Sequence, residues 1–191
     1  MKAVFLDRDG TINIEKHYLY KIEDFEFILN AIEGLKLLQQ MGYMLIIVTN
    51  QSGIGRGYYT EEAFLRLNNW MLNRLEVEGI HIEKVYYCPH LPGAKVEKYR
   101  MNCKCRKPSL GMYEKAIEEF EIELSKSFAI GDKIRDCEIC FTTDCRGFLI
   151  DNNESTDVIN RVKLGQIKNV QYANDLYECA KIICKMDMEE T

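Results

Sequence analysis

The sequence contains little proline and no long apolar run. Only three prolines occur in 191 residues, and all three fall within 89–108. Elsewhere the chain lacks the residue that most often interrupts helices and strands. The apolar run near the N-terminus ends at Asp7, so it is shorter than a signal-peptide core of about 7–15 residues. No stretch approaches the roughly 18 apolar residues of a membrane span. We therefore expect a cytoplasmic protein that does not bind membranes.

Cysteine is too sparse for a disulfide scaffold, and positive charge is not in excess. Eight cysteines in 191 residues are about 4%, below the roughly 8–10% typical of short disulfide-rich proteins. In a reducing compartment, clustered cysteines are more often metal ligands or buried residues. Lys and Arg number 25 against 30 Asp and Glu, a net charge of −5. This balance argues against general affinity for nucleic acid.

Short apolar runs alternate with segments of helical periodicity along the chain. The runs, expected to be strands, are 2–6, 43–48, 85–87, 127–130 and 147–150. Helices are predicted between Asn30 and Gly42, from Thr60 through Leu75, around 113–120 and over about 173–186. This alternation predicts a single α/β domain over 1–191, with a Rossmann-like parallel sheet flanked by helices.

Chemically active side chains lie beside four of these segments. Asp7 and Asp9 come directly after the first apolar run, and a polar row from Thr49 to Ser52 follows the second. Lys107 precedes the third helix, and Asp132 follows the fourth run. Ligands of parallel sheets bind beyond the carboxyl ends of the strands, and a carboxylate pair can bind a hard cation. Taken alone, the acidic pair is equally compatible with a solvated turn, the row from Thr49 to Ser52 favours an ordinary polar turn, and Lys107 fits a surface lysine less well.

The order DxDGT, Thr, Lys and GDxxxD resembles the four motifs of the haloacid dehalogenase superfamily of phosphohydrolases. The resemblance implies that Asp7 attacks phosphorus and becomes an aspartyl-phosphate, while Asp9 acts as general acid and base. It implies Mg²⁺ bound by Asp7, the backbone carbonyl of Asp9, and Asp132, with Asp136 in the outer shell. Two further residues would stabilise the transferring phosphoryl group: Thr49 and Lys107. The 12–30 segment is too short for a cap domain.

A second cluster lies in the proline-containing loop. Cys88 and His90 form one pair, Cys103 and Cys105 form another, and residues 91–102 separate them. Three thiols and one imidazole fit a closed, tetrahedral structural Zn²⁺ site in a loop over 88–105. The alternative is four unrelated core or surface residues. The other five cysteines are predicted to pack as small buried hydrophobes: Cys137, Cys140, Cys145, Cys179 and Cys184.

Five segments narrow the resemblance within the superfamily. DRDGTIN, TNQSGIGRG, YYCPHLPG, CKCRKP and GDKIRD look like the D-glycero-D-manno-heptose-1,7-bisphosphate 7-phosphatases. The resemblance implies Mg²⁺-dependent removal of the 7-phosphate in nucleotide-heptose biosynthesis. We expect a monomer, although no motif fixes the oligomeric state. Where that family usually has Gly, this chain has His17. The implied substrate contacts are Arg8, Glu15, Tyr18, Asn50, Gln51, Ser52, Arg106 and Lys133.

Other functions compete with this interpretation. Histidinol-phosphate phosphatases share the zinc-loop design and typically have a shorter spacer before the second cysteine pair. A zinc-containing nucleic-acid-binding module is suggested by 95–107, which holds six basic residues and one acidic residue, but it leaves the Asp motifs unexplained. The same charges could instead balance zinc thiolates. A binding protein derived from a phosphatase is disfavoured because every named catalytic position is filled.

Overall fold

Six parallel strands form one sheet in the computed structural model, which describes residues 1–150 and 153–189. The spatial order is β3-β2-β1-β4-β5-β6, which confirms the predicted parallel α/β fold. The strands are β1 Ala3–Leu6, β2 Met44–Asn50, β3 Lys84–Cys88, β4 Phe128–Gly131, β5 Arg146–Ile150 and β6 Val170–Ala173. The order reverses at β1, so the carboxyl ends of β1, β2 and β4 meet where a ligand crevice is expected.

Helices connect the strands and cover both faces of the sheet. They are α1 Ala31–Gln40, α2 Ser52–Arg56, α3 Glu61–Val77, α4 Gly111–Phe120, α5 Ile139–Thr142, α6 Thr156–Lys163 and α7 Leu176–Glu189. Between β1 and α1 only a 3₁₀ turn forms, Ile22–Asp24, so no cap domain is inserted there. No helix in the described ranges is long and apolar enough to cross a membrane.

Alternate side chains of each buried strand enter two different cores. In β1, Val4 and Leu6 pack with α1, α3 and α7, whereas Ala3 and Phe5 pack with α4, α5 and α6. All four are essentially inaccessible to solvent, as period-two alternation under helices on both faces requires. The rigid sheet therefore fixes where residues beyond β1 begin.

Two of the three predicted helix-end residues adopt the expected role. The Thr60 hydroxyl accepts a hydrogen bond from the Ala63 N–H at 3.1 Å and caps α3 as expected. Gly42 has φ of +82° just after α1, in the left-handed conformation that suits glycine at a helix end. Asn30 does not cap α1 with its side chain: its backbone is left-handed, with φ of 65°, and its amide group donates to Asp175 at 3.0 Å.

The C-terminal part contains elements that the sequence analysis missed. β6 and α6 were not predicted, and the final helix begins at Leu176 instead of about 173. β6 is short, with the burial pattern of an edge strand, so its apolar signal is weak. The predicted domain range 1–191 includes residues 151–152 and 190–191, which lie outside the described residues.

Candidate active site

A cavity of about 450 Å³ opens at the carboxyl ends of β1, β2 and β4. It brings together most of the residues selected from the sequence. Those that line it are Asp7, Asp9, Glu15, Tyr18, Thr49, Asn50, Gln51, Ser52, Arg106, Lys107, Asp132 and Lys133. Arg8 and Asp136 are absent from this lining because both are buried beneath it. The topological switch point of the sheet explains why segments distant in sequence converge here.

Buried Lys107 links two carboxylates at the base of the cavity. Its Nζ lies 2.8 Å from Asp7 Oδ1 and 2.7 Å from Asp136 Oδ1, and it donates to the Val48 carbonyl at 2.6 Å. Burial raises the pKa of Asp7 to about 8, against the opposing effect of the Lys107 charge, and Asp136 raises it further. One ammonium group therefore does not balance the carboxylates gathered at this point.

Asp132 brings a third carboxylate to the same point. Its Oδ2 accepts a hydrogen bond from the Asn153 amide at 2.8 Å. Burial, followed by the nearby Asp136 charge, raises the pKa of Asp132 to about 6. One oxygen from each of Asp7, Asp132 and Asp136 lies within 4.8 Å of the others. Three carboxylates at this separation, two of them buried, can hold a hard divalent cation, which would favour their ionised forms.

Gly10 keeps this cluster open. Its φ is +86°, and a Cβ built there would lie 2.2 Å from Asp132 Oδ2. Both the left-handed backbone and the close approach exclude larger residues. The DxDGT motif thus requires glycine at this position for a steric reason that involves Asp132.

Asp9 stands apart from the three-carboxylate cluster and is held by nitrogen donors. Arg8 donates to both carboxylate oxygens at 2.9 and 3.0 Å, Asn13 donates to Oδ1 at 3.0 Å, and Gln51 donates to Oδ2 at 2.8 Å. Arg8 is 0% exposed, and its guanidinium lies 5.3 Å from the Phe64 ring centroid. The predicted substrate contact of Arg8 is therefore not supported, because the side chain lies behind Asp9 and away from the cavity.

Gln51 also organises the neighbouring wall. Its amide donates to Thr49 Oγ1 at 3.0 Å, and its Oε1 accepts from the Tyr59 hydroxyl at 2.6 Å. Both Gln51 and Thr49 are buried. The bond to Thr49 does not use the hydroxyl proton of Thr49, which can therefore be donated into the cavity. Gln51, predicted as a substrate contact, thus ties Thr49 and Asp9 into one network.

Asn50 fixes the backbone of Lys107. Its Oδ1 accepts from the Lys107 N–H at 3.0 Å, and its Nδ2 donates to the Lys107 carbonyl at 3.1 Å. This two-bond clamp joins the end of β2 to the loop that precedes α4. The amide of Asn50, also predicted as a substrate contact, is thus occupied in orienting the catalytic lysine candidate.

The predicted metal-ligating loop residues meet at one point. Cys105 Sγ lies 3.0 Å from Cys88 Sγ, 3.2 Å from Cys103 Sγ and 3.3 Å from His90 Nδ1. One ligand atom of each residue lies within 4.8 Å of the others. Burial raises the pKa of Cys88 and of Cys105. For Cys103, hydrogen bonds led by Cys105 outweigh burial and lower the pKa. The donor set and its compactness suit a tetrahedral thiophilic cation.

The remaining cysteines lie elsewhere in the molecule. Cys137, Cys140, Cys145 and Cys179 are completely buried, and Cys184 is partly buried. Burial raises the pKa of Cys137 and Cys179 well above the ordinary value. Their positions agree with the packing role inferred from the sequence.

Seven residues that line the cavity were not predicted as site residues. They are His17, Leu19, Gly53, Arg56, Tyr59, Arg135 and Asn153. Two of them had a usable signal: Arg56 lies four residues after Ser52 in α2, and Arg135 lies inside the GDxxxD motif. Asn153 had none, because it lies far from any recognised motif and reaches Asp132 only through the fold.

Comparisons with known proteins identify the family. Residues 2–160 match the family model described as polynucleotide kinase 3 phosphatase. A D-glycero-beta-D-manno-heptose-1,7-bisphosphate 7-phosphatase from Photorhabdus laumondii is 51% identical over 136 residues, which cover 71% of this chain and 72% of the relative. The D-glycero-alpha-D-manno-heptose-1,7-bisphosphate 7-phosphatase of Campylobacter jejuni is 44% identical over 156 residues, covering 82% and 86%.

A solved structure extends the likeness to nearly the whole chain. The D,D-heptose 1,7-bisphosphate phosphatase from B. bronchiseptica, complexed with magnesium and phosphate, superposes with a TM-score of 0.81 at 25% identity. The match covers 97% of this chain and 99% of that structure. These findings confirm the family predicted from the sequence motifs. The chain belongs to the D-glycero-D-manno-heptose-1,7-bisphosphate 7-phosphatase family, with a haloacid dehalogenase-like fold.

Proposed function

We propose that this protein is a Mg²⁺-dependent phosphatase that removes the 7-phosphate of D-glycero-D-manno-heptose 1,7-bisphosphate in nucleotide-heptose biosynthesis. The observation that carries the proposal is the convergence of Asp7, Asp9, Thr49, Lys107 and Asp132 on one cavity. The family relationship supplies the substrate, since relatives at 51% and 44% identity bear the heptose-bisphosphate phosphatase name.

Asp7 is the nucleophile in the proposed reaction. Its carboxylate attacks phosphorus in line with the leaving oxygen, which forms an aspartyl-phosphate and releases the sugar hydroxyl. Lys107, 2.8 Å from Asp7 Oδ1, and the Thr49 hydroxyl are placed to bind phosphoryl oxygens as negative charge shifts onto them. Asn50 holds Lys107 by its backbone, so this lysine stays in position during turnover.

Asp9 moves the protons in both halves of the reaction. In the first half it donates a proton to the leaving sugar oxygen, and in the second it accepts one from the water that attacks the aspartyl-phosphate. Arg8, Asn13 and Gln51 bind its carboxylate. This arrangement fixes the carboxylate beside Asp7 and outside the cluster of Asp7, Asp132 and Asp136.

The residues at the base of the cavity fit Mg²⁺. Asp7 and Asp132 would hold the ion with the backbone carbonyl of Asp9, and Asp136 would act from the outer shell. Their buried carboxylates, two with raised pKa values, carry more negative charge than Lys107 neutralises. The ion would bind phosphoryl oxygen, supply positive charge and keep Asp7 ionised.

We further propose that Cys88, His90, Cys103 and Cys105 bind a structural Zn²⁺. All four are occupied as ligands in such a site, so no position remains for a reacting group. The loop from 88 to 105 contains only a 3₁₀ turn, Glu97–Tyr99, as regular structure. A bound cation would crosslink it directly before Arg106 and Lys107.

Substrate contacts beyond the reacting phosphate are also part of the proposal. Glu15, Tyr18, Ser52, Arg106 and Lys133 line the cavity and are proposed to contact the sugar or its second phosphate. We propose that the enzyme is a cytoplasmic monomer whose partner is a small phosphorylated sugar and which does not act on nucleic acid or membranes.

Phosphate release tests this function. The two anomers of heptose 1,7-bisphosphate and histidinol phosphate are compared by kcat/KM at saturating Mg²⁺. We expect a heptose anomer to be preferred and Asp7→Asn to lower turnover about 10³-fold or more. Preference for histidinol phosphate would overturn the substrate assignment, and full turnover by Asp7→Asn would overturn the mechanism. Metal analysis should find about one equivalent of zinc.

A further inference from the structure

Three arginines from separate segments line the cavity. Arg56 ends α2, Arg106 follows the cysteine cluster, and Arg135 lies in the 3₁₀ turn Ile134–Cys137. All three side chains therefore face the same space, although they lie far apart in the sequence.

The three arginines have no carboxylate partner at contact distance among the described residues. In the parts of the chain that the structure describes, no carboxylate forms an ion pair with Arg56, Arg106 or Arg135, although the Glu154 charge acts on Arg135 from farther away. The buried Nη1 of Arg106 and the buried Nε of Arg56 also have no hydrogen-bond acceptor there. Buried donors are normally paired, and charged ones especially so. The cluster thus has unused capacity for an anion.

The reacting phosphate does not account for this capacity. Near Asp7 the protein cation is Lys107, which pairs with Asp7 and Asp136. Arg56 lies instead beside Tyr18, with its guanidinium carbon 5.9 Å from the ring centroid. Tyr18 is at the cavity rim and 40% exposed. The arginine cluster therefore extends from the interior, at Arg106, toward the rim.

We propose that Arg56, Arg106 and Arg135 together bind the phosphate of the bisphosphate substrate that is not hydrolysed, with Arg56 and Arg135 as specificity-determining residues. The inference rests on the proposed function and adds two residues to the contact proposed for Arg106. Guanidinium groups suit this task because their planar donors bind phosphate in pairs and remain charged. Three of them match a dianionic group better than one.

The test compares a bisphosphate with the monophosphate that lacks the distal group. Steady-state kinetics on heptose 1,7-bisphosphate and heptose 7-phosphate are measured for wild type, Arg135→Gln, Arg56→Gln and the control Arg66→Gln. Arg135 and Arg66 are both exposed, but Arg66 lies on α3 outside the cavity. We expect Arg135→Gln and Arg56→Gln each to lower kcat/KM for the bisphosphate about tenfold through KM. Activity on the monophosphate and all parameters of Arg66→Gln should stay within about twofold.

Equal losses on both substrates, or no loss on the bisphosphate, would overturn the proposal. Arg135→Glu gives a second test at an exposed position. The reversed charge should reduce turnover of the bisphosphate further, while the melting temperature should stay unchanged. If wild type is inactive on heptose bisphosphate, the proposed function is wrong. Calorimetric measurement of ligand binding then tests separately whether the three arginines bind a phosphate. Fructose 1,6-bisphosphate should then bind more tightly than fructose 6-phosphate in wild type, and Arg135→Gln should abolish the difference. Equal affinities in wild type would reject the site.

Discussion

Asp7 lowers the free energy of unfolding of the protein when no cation is bound. Its pKa is raised to about 8 by burial, whereas an unfolded chain releases this proton near pH 4. Between these values the unfolded state binds fewer protons, so the stability of the metal-free protein falls as the pH rises. The nucleophile thus lowers the stability of the metal-free protein, and such a loss of stability is common at active sites.

Asp7→Asn removes this cost and is expected to stabilise the metal-free protein. The folded state keeps Asp7 protonated while the unfolded state releases this proton above about pH 4, so the variant's gain in melting temperature should be small at pH 5 and larger at pH 8. Turnover should fall about 10³-fold or more. Melting in EDTA at both pH values measures the effect, and a difference independent of pH would contradict it. Added Mg²⁺ should raise the melting temperature of wild type more than that of the variant.

Substitution of Arg8 tests whether this residue positions Asp9 or binds the substrate. Arg8→Met removes the donor to both oxygens of Asp9 and should cost about 3 kcal/mol of stability, as expected when half of a buried pair is lost. Because Arg8 does not reach the cavity, we expect kcat to fall with little change in KM. Urea unfolding and steady-state kinetics measure the two effects. Arg8→Lys keeps the charge, so its stability and its kcat should lie between those of wild type and Arg8→Met. A raised KM with normal kcat would instead show that Arg8 contacts the substrate.

For single residues, the sequence predicts which side chains lie at the site better than it predicts which groups they bind. Asp7, Asp9 and Asp132 were selected because carboxylates follow strands, and the fold brings them to one cavity. Asn50 and Gln51 were correctly located there, but their amides bind Lys107, Thr49 and Asp9. A polar side chain at a strand end can face a ligand or a neighbouring segment, and spacing alone cannot distinguish these cases.

Elements with strong local signals were predicted and those without were missed. α3 has an N-cap, acidic residues in its first turn and a buried stripe, so every local cue agrees. β6 holds Gln171 and Tyr172 between its two buried residues and follows an unrecognised helix. Its strand conformation depends on pairing with β5, which is tertiary information.

The cysteine loop acts on the element that follows it. Lys107 comes two residues after Cys105, and Asn50 clamps its backbone from the other side. A loop that lost its proposed cation would therefore hold the backbone of Lys107 less firmly, although the side chain keeps its contacts with Asp7, Asp136 and the Val48 carbonyl. A displacement of about 1 Å at such a group can cost 10²-fold in rate.

Cys105→Ser is therefore expected to impair catalysis as well as stability. We expect zinc content to fall well below one equivalent, the melting temperature to decrease, and kcat/KM to drop at least about tenfold. Metal analysis, thermal melting and kinetics are run together on each protein. Cys184→Ser in α7, outside the cluster, serves as the matched control and should keep its zinc. A zinc-depleted variant with normal kcat/KM would show that the loop does not position Lys107.

At the scale of the whole molecule, the cavity and the C-terminal helix occupy different parts of the fold. The cavity is built from the ends of β1, β2 and β4, whereas α7 packs against α1, with Cys179, Ala180 and Ile183 in the core. No catalytic role is proposed for α7. Its contribution is to cover the face of the sheet that α1 and α3 leave exposed, which β1 requires because both its faces are apolar.

Gly34 permits this packing, and its replacement should separate stability from activity. A Cβ at Gly34 would lie 2.9 Å from the backbone of Leu176 and Tyr177, too close for either helix to remain in place. In a helix interior, Gly→Ala normally stabilises by up to about 1 kcal/mol; here we expect a loss of about 1–3 kcal/mol from overpacking. Chemical denaturation measures this loss, while kcat at 25 °C should stay within about twofold because α1 and α7 contribute no cavity residue. Glu33→Ala, exposed on the same helix, should change stability by no more than about 0.5 kcal/mol. A stabilised Gly34→Ala protein would mean that α7 docks less closely, and a large loss of kcat would mean that the α1–α7 layer holds the strand ends in register.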